Sequence, residues 1–138
     1  MTVAATYFED VQIGDVEVTP AMTLTEAHAA LYRGLIGESP EGSATFPDLL
    51  PLCLATGLGW RVQRPPLAVL AFMSFDWKIH RELRVGDTIH GRARVTAKQD
   101  DDKPDRGQIT VQRTVVNQRD EVVQEGETDL LVEKRGRP

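Results

Sequence analysis

The 138 residues make a chain of single-domain size, long enough to bury a core without disulfide or metal staples. A hydrophobic share of 41% and a charged share of 27% belong to a globular chain rather than a disordered or fibrous one. With 16 Lys and Arg against 21 Asp and Glu, the formal charge of −5 argues against nucleic acid or an anionic membrane as the main partner.

Cys53 is the one cysteine, so neither a disulfide framework nor a thiolate metal cage can form, and its apolar neighbours predict a buried structural thiol. No apolar run is long enough to span a bilayer, and the N-terminus lacks a basic stretch followed by an apolar block. The expectation is a reduced, cytoplasmic, soluble α+β domain over 1–138, with flexible tails at 1–6 and 134–138 (KRGRP).

In chain order, YFEDVQIGD (7–15) reads as an extended lead-in closing in a turn at Gly14 and Asp15, and 16–24 as a first strand. Thr23 and Glu26 stand at the spacing of a reciprocal helix cap. Ala27, Ala30, Leu31, Gly34 and Leu35 then repeat at helical spacing. GLIGESPEGS (34–43) has the composition of a loop, with Glu38, Glu41, Ser39 and Ser43 among its glycines and proline.

LLPLCLATGLGWRV (49–62) is apolar nearly all round, with Pro51 tolerable in a first helical turn. A helix of that kind must be wrapped on most sides. AVLAFMSFDWKIH (68–80) and 88–98 alternate with period two, as strands with one face on a core do. VGDT (85–88), 99–107 and NQRD (117–120) are turn signals, and 108–117 and 121–133 are two more strands. Adjacent strands after a helix favour an antiparallel sheet, curled around the apolar helix near 49–62.

YFEDVQIGD, TLTEAHAALYRGLIGE, MSFDWKIHRELRVGDTIHGRARV and VVNQRDEVVQEGETDLLVEKR, in this order, resemble the MaoC-like hydratase/dehydratase family over about residues 7–135. The resemblance implies a hot-dog fold, a curved antiparallel sheet around one central helix, paired as a homodimer, a heteromer with another hot-dog chain, or a double hot dog. It implies hydration of an enoyl thioester, or dehydration of a β-hydroxyacyl one, carried on coenzyme A or acyl-carrier phosphopantetheine, with no metal or redox cofactor.

Active members carry G-D-x-N-P-x-H after the first helix, and its Asp and His activate water and shuttle the proton. Backbone N–H groups at the start of the central helix stabilise the enolate oxygen. Here Gly37 is followed by Glu38 in place of the Asp, Ser39 nearest the Asn, Pro40 one residue early, and Gly42 where the His belongs. Glu38 keeps a carboxylate but reaches one methylene further, and a displacement of ~1 Å can cost about a hundredfold in rate.

Asp48 stands near the expected oxyanion position and reads either as a helix cap or as a catalytic group. Of the three histidines, His80 is the candidate replacement, on a strand face with Ser74, Asp76 and Lys78; His28 and His90 read as solvated. Glu38, Ser39, Asp48 and His80 are thus the candidate catalytic residues. Arg33, Arg61, Arg64 and Lys78 are candidates for the coenzyme or carrier phosphates, with Glu41 and Ser43 as further substrate contacts. Trp60 and Trp77 read as core or interface residues.

The departures leave three readings. One is a hydratase or dehydratase with an altered motif, and the second a non-catalytic subunit of a heteromeric hydratase. The third is a repurposed thioesterase or cyclase using Glu38, Glu41 or Asp48 as a lone base.

Overall fold

The computed structural model describes residues 4–37, 46–100 and 102–136. A single 3₁₀ turn, Phe8–Asp10, leads into β1 (Val16–Val18), β2 (Met22–Thr23) and α1 (Glu26–Ile36). Then come α2 (Leu50–Leu58), a 3₁₀ turn at Gly59–Arg61, β3 (Val69–Phe75), β4 (Lys78–Ile79), β5 (Thr88–Asp100), β6 (Arg106–Val116) and β7 (Val122–Glu133).

The strands pair in the order β1-β5-β6-β7-β3, with β2 on β5 and β4 on β7, and every pairing between them is antiparallel. Register shifts at Val69/Ala71 and Phe72/Ser74 in β3, Val95/Ala97 in β5 and Val115/Val116 in β6 bend these strands. Bulges of this kind increase twist and let a sheet curl. The curled sheet takes α2 against its concave face, and the expected architecture is the observed one.

Several local expectations differ. The strand expected over 68–80 is broken at Asp76 and Trp77. Asp76 leaves the ladder but binds Glu127 twice, its N–H donating to the Glu127 carbonyl and its Oδ1 accepting the Glu127 N–H, both at 3.0 Å. The Asp76 carbonyl occupies the space a side chain at residue 126 would need, so Gly126 is what permits the break. The helix cap is Thr25 rather than Thr23, because the side chain that reaches back is His28: its Nδ1 accepts the Thr25 N–H at 3.0 Å. His28 is therefore a capping residue and not a solvated one. Gly37 ends α1 at φ 78°, a left-handed geometry that favours glycine.

Thr6 and Arg135, near the two ends of the described residues, are each bonded to the rest of the chain. Thr6 bridges the Pro66–Ala68 backbone, and the Arg135 guanidinium grips both Asp10 oxygens at 2.6 Å. Opposite charges brought together by the fold anchor what reads in sequence as a solvated end.

Two apolar clusters occupy the two ends of the concave face. Leu24, Ala29, Phe46, Leu50, Leu83, Ile89, Val115 and Val123 join α1 and the start of α2 to the sheet. Phe8, Val11, Ile109, Val111, Leu130 and Val132 join the amino-terminal segment to its other end. Gln124, only 2% exposed, ties the first of these together. Its Nε2 donates to the Asp48 carbonyl at 2.6 Å, and its Oε1 accepts the Trp77 Nε1–H at 2.9 Å. A buried amide satisfied on both sides positions the beginning of α2 against β7.

Candidate active site

α2 buries Leu50, Pro51 and Leu58 but leaves Cys53, Thr56 and Gly57 exposed. The expectation of a buried thiol at Cys53 is thus wrong. A single chain covers only part of an all-apolar helix, and Cys53 lies on the part it leaves open. Pro51 sits in the first turn as expected, while the cap position falls on Leu49, which has no side-chain cap bond. Asp48 is exposed and is not the cap; its main chain, not its carboxylate, is what the fold holds.

Between α2 and the middle of the sheet lies a cavity of ≈ 370 Å³. Leu52, Ala55, Thr56, Gly59 and Trp60 form its helical wall, and Gly91, Ala93, Val95, Ile109, Val111, Arg113 and Leu130 its sheet wall. Glu17, Arg64 and the Pro65–Leu67 segment border it, as does Phe72. A second hollow, lined by Leu52, Cys53, Thr56, Phe72, Phe75, Arg113 and Thr128, shares four of these residues. An apolar cavity with a few polar groups has the character of a small-molecule site.

Of the described candidate residues, Arg64 borders the cavity, and its Nη1 lies 3.9 Å from Glu17 Oε2. Asp48, Arg61, Lys78, His80 and Arg33 are not among its walls. His80 Nε2 instead meets Glu125 Oε1 at 3.3 Å, and Lys78 stands opposite Glu125 in the β4–β7 register. Arg33 is in the last turn of α1, and Arg61 is exposed in the 3₁₀ turn after α2. Glu38, Ser39, Glu41 and Ser43 lie outside the described residues. Trp60, read as core or interface, is 74% exposed at the cavity wall, whereas Trp77 packs on the core.

Sequence reasoning missed Glu17 and Arg113. Arg113 carries the clearer signal: Ile109, Val111, Arg113 and Val115 share one strand face, and three of the four are buried apolar residues. Its Nε is buried with no hydrogen-bond partner. Burial pulls its pKa below the ordinary arginine value, and the nearby Glu17 charge pushes it back up.

No protein-family model matches the sequence, and none of the curated proteins matches it. Solved structures do. A monoamine oxidase regulatory protein from Archaeoglobus aligns with a TM-score of 0.86 at 25% identity, over 99% of this chain and 100% of that one. A MaoC domain protein from Chloroflexus aurantiacus aligns at 0.84 and 24%, over 98% of this chain and 42% of that one. The MaoC-like dehydratase from Rhodospirillum rubrum aligns at 0.76 and 21%, over 95% and 99%. This is the MaoC-like hot-dog fold.

Within that fold, α2 is the central helix and β3 an outer strand. The same fold occurs in R-hydratases, in a double hot-dog protein and in the HadBC dehydratase complex, the last two from Mycobacterium tuberculosis. The chain spans less than half of the Chloroflexus protein. Among the described residues no helix is long and apolar enough to cross a membrane.

Proposed function

We propose that this MaoC-like chain acts on acyl thioesters, adding water to an enoyl thioester or removing it from a β-hydroxyacyl one. The observation that carries the reading is the apolar cavity along α2, which starts in the helix's first turn at Leu52. In this reading the thioester of an acyl chain lying there sits toward the start of α2, where the Leu50 N–H is taken by the Pro47 carbonyl at 3.2 Å and Pro51 has none, which leaves the Leu52 N–H. That N–H and the positive end of the helix favour the enolate oxygen that develops during the reaction.

Glu38, two residues past Ile36 in the sequence and outside the described residues, is the base in this reading. Its carboxylate takes a proton from water as the water oxygen bonds to the β-carbon, and returns that proton to the α-carbon, so that one water is added. A single carboxylate can perform both transfers on one face of the substrate.

Pairing with another hot-dog chain belongs to the same proposal. Val69, Leu70, Phe72, Met73 and Phe75 of β3 are all exposed, an apolar stretch on an outer strand of the sheet. Such an edge is unfavourable unless covered. This observation also favours the second reading, a subunit that completes the site of an active partner.

The test is ultraviolet loss of the conjugated enoyl thioester, with crotonyl-coenzyme A and a carboxylated analogue as substrates. Glu38→Gln is expected to lower turnover about a hundredfold or more. A folded protein that hydrates neither substrate would overturn the catalytic reading for the lone chain. Activity restored by a second hot-dog chain would then support the subunit reading.

A further inference from the structure

We infer that Arg113 is a specificity residue that selects acyl thioesters whose acyl chain ends in a carboxylate. The inference rests on the acyl-thioester reading above. Arg113 lies midway along β6 on the concave face, where its neighbours Val111 and Val115 are buried apolar residues. Its register partners are Ala93 and Gly126, neither of which can pair with a charge through its side chain.

A guanidinium in this row costs desolvation that a hydrocarbon would not. Natural cores meet that cost by pairing the charge, yet the buried Nε has no partner. Glu17 is the nearest opposing charge, and its carboxylate is engaged by Arg64 at 3.9 Å. Of the other charged walls, Asp15 Oδ2 accepts the Gln12 N–H at 2.9 Å, and Arg92 pairs with Asp120 at 3.1 Å. Arg113 therefore shares its one nearby opposing charge, Glu17, with Arg64, and its Nε has no hydrogen-bond partner. It borders both the main cavity and the hollow beside it, so a chain passing along α2 meets it.

A carboxylate suits that position because a guanidinium donates two parallel hydrogen bonds to it, and the surrounding apolar walls strengthen the interaction. A neutral methyl end would leave the Arg113 Nε without a partner, as it is now. Discrimination of this kind, by a buried polar group left unmatched by the wrong ligand, is larger than discrimination by one methylene.

Saturated thioesters separate recognition from turnover. Isothermal titration of the full chain would compare glutaryl- with pentanoyl-coenzyme A and adipyl- with hexanoyl-coenzyme A, pairs matched in chain length. The wild type is expected to bind at least one carboxylated member about tenfold or more tightly than its neutral partner. Arg113→Met is expected to erase that preference without weakening the neutral ligand, and Arg113→Lys to restore part of it. Equal affinities within both pairs would overturn the inference and leave the thioester reading intact. A preference that survives in Arg113→Met would overturn the assignment to Arg113. Failure to bind any of the four would overturn the thioester reading, and this inference with it.

Discussion

The two ends of the concave face are filled, and its middle is not. One end is closed by Leu24, Phe46, Leu50 and Ile89, the other by Phe8, Val11 and Val132, and between them β6 presents Arg113. The ends and the middle belong to the same strands and the same row of side chains. The difference teaches that the fold is carried by the ends, while one charged position in the row goes with a cavity rather than a core. A binding cavity in a curled sheet needs no special backbone, only side chains that decline to fill it.

The sharpest way to break the comparison is at a filled end. Phe8 is 6% exposed, with the Lys98 Nζ 4.4 Å from its ring centroid. Phe8→Ala is expected to cost about 4 kcal/mol in a denaturant unfolding curve, as truncation of a buried aromatic does. If it costs no more than a surface substitution, that end is not structural.

Gly126 is next, since it stands opposite Arg113 in the ladder and yields space to the Asp76 carbonyl. Gly126→Ala is expected to destabilise by about 3 kcal/mol by the same measurement, because the obstruction is backbone and cannot swing aside. Gln124→Leu is expected to cost about 2 kcal/mol, leaving the Trp77 N–H and the Asp48 carbonyl unmatched inside the protein.

The middle should respond with the opposite sign. Arg113→Met replaces a half-buried guanidinium whose Nε has no partner by hydrocarbon and is expected to stabilise the chain by about 1 kcal/mol, read as a raised melting temperature. A loss of stability would mean that Arg113 belongs to the core after all.

The smallest effect lies at the surface. Asp10 is held below the usual carboxylate range by the Tyr7 N–H and then by Arg135, and Glu121 by Arg119 and then Asn117. A carboxyl whose folded pKa is lowered stabilises the protein above its unfolded pKa, and that contribution fades as pH falls through the folded value. The melting temperature is therefore expected to decline as pH falls through the ordinary carboxylate range and on through the lowered folded values, and Arg135→Ala to reduce the part of that decline due to Asp10, with the Tyr7 N–H still holding it down. Both groups face solvent, so the decline is shallow and shrinks further in high salt.

Much of the architecture was legible in the chain. Period-two alternation over 88–98 identified β5, the turn signal at NQRD separated the strands 108–117 and 121–133 that became β6 and β7, and the apolar run at 49–62 demanded a sheet curled around it. The short motifs that resemble MaoC-like proteins pointed to the same fold. Of the site, the loop with Glu38 rests on sequence alone, and Arg64 was named without its partner Glu17.

Periodicity reports which residues share a face, because it is a local property of the backbone. It cannot report which distant element lies across from that face. Only the tertiary structure decided that His28 rather than Glu26 closes the cap, that Arg135 reaches Asp10 across the whole chain, and that Cys53 falls on the uncovered side of α2. The same holds for Glu17, Arg64 and Arg113, each unremarkable where it stands in sequence. They meet at one cavity because β1, the segment after α2 and β6 converge there, and burial at that meeting place is what makes a single arginine worth testing.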